Sequence, residues 1–286
     1  MPSDPDQSNT LDGSAEMDAL VDSMETAHPG AVFGIYVFDP TTGNAYRRNA
    51  DRVFHAASTM KVPVMIEVYR RAALGHFLMS DSLVVHNEFS SIMDESPYSL
   101  SIEDDTDDVV YARIGEPMAL EDLVRHMITR SSNLATNILI DYIGAEDVQR
   151  TVRNLGATTM EVLRGVEDIK AFEAGRSNTA TAHDLGLLMR RIESGSAVSP
   201  DVDVVMLDVL KAQELNDMIP AGLPDGVEVA HKTGFITGIN HDAAIVAPGE
   251  NAYVLVILTE GVAEREASSR LGAEVAAKVH GLLRGA

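Results

Sequence analysis

Val53-Phe54-His55-Ala56-Ala57-Ser58-Thr59-Met60-Lys61-Val62-Pro63-Val64-Met65 is the stretch on which the reading of the whole chain turns. A Ser and a Lys three residues apart at the start of a helix share one face, one turn apart. The Lys ammonium is then within reach of the Ser hydroxyl, which is a poor nucleophile until a neighbour takes its proton. The helix start also leaves backbone N–H groups unpaired, and these can hold a developing negative charge. Ser58-x-x-Lys61 therefore offers a nucleophile, a proton acceptor and part of an oxyanion site in a single turn. Ser-x-x-Lys also recurs by chance about once per few hundred residues. A surface helix start, with Ser58 as cap and Lys61 in solvent, has the same spacing, so the surrounding sequence must decide.

The chain has 286 residues, long enough for one large domain or two modest ones with a substantial core. Its 44 acidic residues against 22 basic ones give a net charge of −22. That balance argues against nucleic acid or an anionic membrane as partner and suits high solubility. With no cysteine, disulfides, thiolate metal sites and a Cys nucleophile are excluded. The nine histidines form no His-Glu-x-x-His and no close pair at ligand spacing, so neither metal nor cofactor is expected. No apolar run reaches membrane-spanning length. The opening Met1-Pro2-Ser3-Asp4-Pro5-Asp6 is polar and acidic, unlike a signal peptide. The expectation is a cytoplasmic protein, or an exported one whose leader has been removed.

Outward from Ser58, residues 1–13 read as a disordered tail. Ser14 is a candidate cap for a helix to about His28, with Met17, Leu20, Val21 and Met24 on one face. Ala31–Phe38 and Ala45–Asn49 read as strands around the turn at Gly43. After Ser58 an apolar helix runs to Leu74. Residues 90–113 are acidic and poorly patterned, and read either as a lid or as solvated disorder. Helices are expected over 120–130, 134–143, 145–155, 180–192 and 202–210, and strands over 227–235, 240–246 and 252–259, before a closing helix over 264–283. Strands at both ends of the chain with helices between predict an α/β fold of the α+β type. An antiparallel sheet of about five strands, flanked by helices, would form from residues 14–57 plus 211–286, with an all-helical domain inserted at 58–210.

Three short signals fall in order along this plan: Ser58-x-x-Lys61, Ser131-x-Asn133 and Lys232-Thr233-Gly234. They sit at a helix start, an inter-helix turn and an internal strand. With these motifs the sequence resembles the class A β-lactamases and penicillin-binding proteins, over nearly its whole length. The resemblance implies the serine β-lactamase/transpeptidase-like fold and a chemistry. Ser58 attacks a carbonyl carbon and is acylated, and Lys61 receives or relays its proton. Ser131 passes a proton to the leaving nitrogen, and Asn133 hydrogen-bonds the substrate amide or Lys61. Lys232 and Thr233 attract the substrate carboxylate, Gly234 lets the strand approach the ligand, and the backbone N–H groups of Ser58 and Phe235 form the oxyanion hole.

The segment Leu163-Arg164-Gly165-Val166-Glu167-Asp168-Ile169-Lys170-Ala171 decides which member of the family this is. In class A β-lactamases a Glu on an Ω-like loop holds the water that hydrolyses the acyl-enzyme, and Glu167 is its counterpart here. The usual Glu-x-x-Leu-Asn is absent, however, with Lys170-Ala171 in the place of Leu-Asn, and Asn178 replaces a loop-closing carboxylate. A Glu167 aimed at the site makes the protein a β-lactamase. A Glu167 ion-paired with Arg164 or Lys170 leaves a persistent acyl-enzyme, as in a D-Ala-D-Ala peptidase or esterase. A silent binding module is the remaining reading. The strand over Ile239–Ile245 carries no Arg for the substrate carboxylate, so Lys232, Thr233 and Thr237 must suffice, with His241 either a helper or a solvent-facing strand-end residue. The expected partner is a small β-lactam or peptidyl substrate, bound by a monomer.

Overall fold

The computed structural model describes residues 9–285. The chain opens with a short strand, Asn9–Thr10 (β1), the helix Ser14–Ala27 (α1) and the hairpin Val32–Phe38 (β2) and Asn44–Arg48 (β3). Phe54–His55 (β4) leads into a 3₁₀ turn over Ala57–Met60 and the helix Lys61–Ala73 (α2). Four short strands follow: Ser82–Val84 (β5), Phe89–Ser90 (β6), Pro97–Tyr98 (β7) and Pro117–Ala119 (β8). The helical block then comprises Leu120–Thr129 (α3), Asn133–Ile143 (α4), Ala145–Asn154 (α5) and Ile169–Glu173 (α6). It ends with Thr179–Ala180 (β9), Ala182–Glu193 (α7) and Pro200–Lys211 (α8). Val229–Ile236 (β10), Ile239–Val246 (β11), Tyr253–Glu260 (β12) and Arg265–Arg284 (α9) close the chain.

The main sheet has the order β1-β3-β2-β12-β11-β10. It differs from the antiparallel sheet of about five strands expected from the pattern. It has six strands and is mixed, because β1 pairs with β3 in parallel. The added strand lies within the stretch read as a disordered tail. Residues 1–8 of that stretch lie outside the described residues. Over 9–13 the chain is ordered: Asn9 and Leu11 donate backbone hydrogen bonds to Gly43 and Ala45 at 3.0 and 2.9 Å, and Leu11 is buried in the outer core. One apolar side chain was too weak a signal for a strand. Ser14 also departs from its expected capping role. Gly13, at φ 88°, takes the cap position, while Ser14 Oγ donates back to the Leu11 carbonyl at 2.7 Å.

Both faces of the sheet are covered, which is why β12 reads as a near-continuous apolar run, Tyr253-Val254-Leu255-Val256-Ile257-Leu258. Period-2 alternation divides the side chains. Phe33, Ile35, Val37, Leu255 and Ile257 pack under Met17, Val21 and Met24 of α1 and Val275 and Val279 of α9. Tyr36, Val254, Val256 and Leu258 face the helical block, with Leu185 and Leu188 of α7 against them. In α2, Pro63 is the third residue, where an N–H has no helical partner to lose. Edge strand β10 runs past the Ala57–Met60 turn, and the start of α4 closes in from the helical side.

Candidate active site

Backbone strain gathers at this junction. Among the described residues six non-glycine positions have positive φ, and three of them are Ala57 (44°), Ser131 (61°) and Glu167 (61°). Such conformations cost about 1–3 kcal/mol each and persist only where the surroundings over-determine them. The Ser58 turn is held by Ala57 N–H donating to His55 Nδ1 at 3.0 Å and Thr59 Oγ1 donating to the Ala56 carbonyl at 2.5 Å. Ser58 itself is half-buried, and its Oγ has no hydrogen-bond partner among the described residues. Gly234 of β10 abuts this turn. A Cβ there would lie 3.1 Å from Ser58 N and 3.0 Å from Thr59 N, so a side chain would push the strand off the nucleophile turn.

Lys61 is fully buried, and its ammonium donates to the Ser131 carbonyl (2.6 Å), Asn133 Oδ1 (2.8 Å) and Ser131 Oγ (3.3 Å). Lys232, also fully buried, donates to the same Ser131 Oγ at 2.9 Å and to the Thr233 carbonyl at 2.8 Å. A hydroxyl has two lone pairs and one hydrogen. With both lone pairs of Ser131 facing ammonium groups, its hydrogen is left to donate into the cleft. Asn133 Nδ2 donates to Glu167 Oε1 at 2.7 Å, giving a chain Lys61–Asn133–Glu167.

The electrostatics follow from burial. Desolvation brings Lys61 down to about 7, against the pull of Asp105 and Glu167 toward the charged form. Lys232 is also lowered, well below the ordinary lysine value, by burial first and then by the charge of Lys61, with Asp242 opposing. Glu167 is raised by burial. The Asn133 hydrogen bond and Lys61 oppose the rise, and Asp105 and Asp104 add to it. Lys61 thus titrates near neutrality, where a proton acceptor works best.

Several partners escaped the sequence. The acidic segment docks on the site through specific carboxylates. Asp105 Oδ2 accepts from the N–H groups of Asn133 and Leu134 at 2.9 and 3.0 Å, capping the start of α4. Asp107 pairs with His126 (2.5 Å) and Arg130 (3.2 Å). Asp168 accepts from Ser91 Oγ and Ile92 N–H, both at 2.9 Å, tying the Glu167 loop to the same segment. Among the described residues, neither of the alternative ion pairs of Glu167 forms. Lys170 goes to Asp94 at 2.9 Å, and Arg164 donates to the carbonyls of Arg176 and Gly165, both at 2.9 Å. Asn178 closes the loop neck as an amide, accepting from the N–H groups of Leu163 and Arg164 and donating to the Arg164 carbonyl.

The expectation for His241 on β11 is corrected. His241 is neither a substrate ligand nor a solvent histidine. It is fully buried, donates from Nε2 to the His55 carbonyl at 2.9 Å and accepts the Thr259 N–H at 3.1 Å. Burial holds it neutral, at about 4. Thr237 lies exposed in the β10–β11 turn and joins none of these contacts. Thr233 is nearly buried. Phe235 is 45 % exposed with the Arg265 guanidinium 4.8 Å above its ring.

Asn137, one turn beyond Asn133 on α4, clamps the Glu167 loop. It accepts the Val166 N–H at 2.7 Å and donates to the Val166 carbonyl at 3.0 Å. Gly165 makes room for it, since a Cβ there would lie 2.3 Å from Asn137 Oδ1. Gly165→Ala should therefore evict the clamp. The expected result is a loss of about 1–3 kcal/mol in stability, from the hydrogen bonds broken and the overpacking, and a slower turnover as Glu167 loses its footing. Thermal unfolding alongside steady-state kinetics checks both.

Comparisons with known proteins place the chain in a family. The model of the β-lactamase enzyme family matches residues 14–283. A β-lactamase of Streptomyces albus G is 27 % identical over 236 residues, covering 80 % of this chain and 73 % of that one. Among solved structures, a β-lactamase from Sphaerobacter thermophilus superposes with a TM-score of 0.81 at 26 % identity, covering 96 % of this chain and 98 % of that one. A mutant of PBP-A, in an acyl-enzyme complex with penicillin G, does so with a TM-score of 0.78 at 25 % identity, covering 93 % and 95 %. With a family model spanning almost all of it and this fold beneath, the chain belongs to the β-lactamase enzyme family of hydrolases.

Proposed function

We propose that the protein is a serine β-lactamase that opens the β-lactam amide through an acyl-enzyme on Ser58. The observation that carries this reading is the Ser131 hydroxyl bridged by Lys61 and Lys232, beside a Lys61–Asn133–Glu167 chain. In its amine form Lys61 takes the Ser58 proton as Oγ attacks the ring carbonyl. The N–H groups of Ser58 and Phe235 stabilise the oxyanion. The C–N bond breaks as Ser131 gives its hydrogen to the ring nitrogen and is re-protonated from Lys61. Glu167 then removes a proton from water, the resulting hydroxide attacks the ester carbonyl, and Ser58 leaves with the proton returned through Lys61. Lys232, with Thr233 beside it, holds the substrate carboxylate.

One observation favours slower deacylation, in the manner of a penicillin-binding peptidase. Ala171 provides no amide where the family places Asn, so Glu167 is left with Asn133 as its one side-chain partner among the described residues. Turnover of a chromogenic cephalosporin, read with intact mass, separates the readings. Fast turnover without a lasting adduct supports the β-lactamase. A stable adduct on Ser58 supports the peptidase-like enzyme. Neither adduct nor turnover overturns both.

A further inference from the structure

At the end of the sheet away from the cleft, the last turn of α7 meets the end of β2 and the start of β12 around a cavity of about 420 Å³. In register, Lys232 and Gly234 lie level with Val256 and Leu258, so Val254 is two to four residues along β12 and two strands across from them, about 7–14 Å along the strands and about 10 Å across the sheet. Phe38, Leu187 and Val254 give the cavity an apolar floor, and Arg190, Arg191 and Ser196 stand in its wall. The Arg190 guanidinium lies 3.5 Å above the Phe38 ring and donates to Tyr36 Oη at 3.0 Å. Arg191 has its Nε buried with no acceptor. Neither arginine forms an ion pair among the described residues, in a chain whose acidic residues outnumber its basic ones two to one. Glu193 is the one acidic residue in the cavity's lining among the described residues. It reaches neither guanidinium, and burial raises its pKa, which opposes its holding charge there.

A helix C-terminus attracts cations, which accounts for basic residues in this turn. It does not account for two half-buried guanidiniums beside a void with no ion-pair partner, Arg191 Nε among them without any acceptor, since buried donors normally have partners. An arginine held flat on an aromatic ring is prearranged for a planar or tetrahedral oxyanion, and an apolar floor with a few convergent polar groups is the usual make-up of a ligand site. We propose that this cavity is a second binding site, separate from the catalytic cleft, for a small organic anion: a carboxylate or phosphate head on a flat apolar body. The head engages Arg191 and Arg190, with the Ser196 hydroxyl beside them, and the body rests on Phe38, Leu187 and Val254.

Phenyl phosphate is the probe, titrated by calorimetry into the full-length protein. One saturable site is expected, weakened tenfold or more in Arg191→Gln and unchanged in Lys232→Ala. Ser196→Trp, which fills the mouth and keeps both guanidiniums, should abolish binding, so the test survives if Arg191→Gln fails to fold. Cephalosporin turnover should be unchanged in both wall variants. No saturable binding to the unmodified protein overturns the proposal. So does binding that is lost with Lys232 and indifferent to Arg191 and Ser196, which would place the anion in the catalytic cleft.

Discussion

Glu167→Ala should leave acylation of Ser58 intact and stop the enzyme there. Turnover is expected to fall about 10²–10⁴-fold, the range a positioned general base supplies, while intact mass shows the protein accumulating as the covalent adduct. The geometry sets this expectation. Glu167 sits at the far end of the Lys61–Asn133–Glu167 chain, 2.7 Å from Asn133 Nδ2, at a backbone φ of 61° that the Asn137 clamp on Val166 helps to hold. Both ion pairs that would make it structural are taken by other partners. Burial raises its pKa, so the carboxylate needed for deacylation is lost at a higher pH, as pH falls, than for an ordinary glutamate. A Glu167→Ala protein that turns over at the unmodified rate would remove this residue from the chemistry.

How much of this was visible in the sequence depends on how far apart the partners lie along the chain. Ser58 and Lys61 are one turn apart, and their helix announces itself by the apolar run that follows. Lys232-Thr233-Gly234 sits in a strand of clear β composition. The alternation of β2 and the apolar run of β12 place the sheet's centre. What the pattern did not disclose are contacts closed by the fold. Asp105 caps a helix that begins 28 residues later, and nothing distinguishes it locally from Asp104 or Asp107. Asn137 reads as one polar residue in an apolar helix until Val166 arrives from 29 residues away. His241 looked available because a strand end is normally wet, but β4 and the neighbouring strand β12 cover it. The parallel pairing of β1 rests on backbone hydrogen bonds, which side-chain periodicity does not report. The resemblance located the motifs, and the physical chemistry of each local stretch located their secondary structure. The second layer around them required coordinates.

Lys61→Met should suppress acylation itself, by about 10³–10⁴-fold, because Ser58 then has no acceptor for its proton. The pH dependence distinguishes this role from a merely structural one. In the unmodified protein burial brings Lys61 to about 7, so the amine, and with it the acylation rate, grows as pH rises through neutrality. Steady-state rates blend this limb with that of Glu167, since the two groups interact and titrate as a pair. Single-turnover acylation in the Glu167→Ala protein isolates Lys61. Its limb should also move. Glu167 stabilises the ammonium, so removing that negative charge lowers the Lys61 pKa and shifts the midpoint to more acidic pH. Asp105→Asn should shift it the same way, because Asp105 exerts the same pull and the amide oxygen can still accept from the start of α4. A stopped-flow pH profile of acylation for the three proteins measures the shift. A limb that stays in place or moves toward alkaline pH would mean that some group other than Lys61 takes the proton of Ser58.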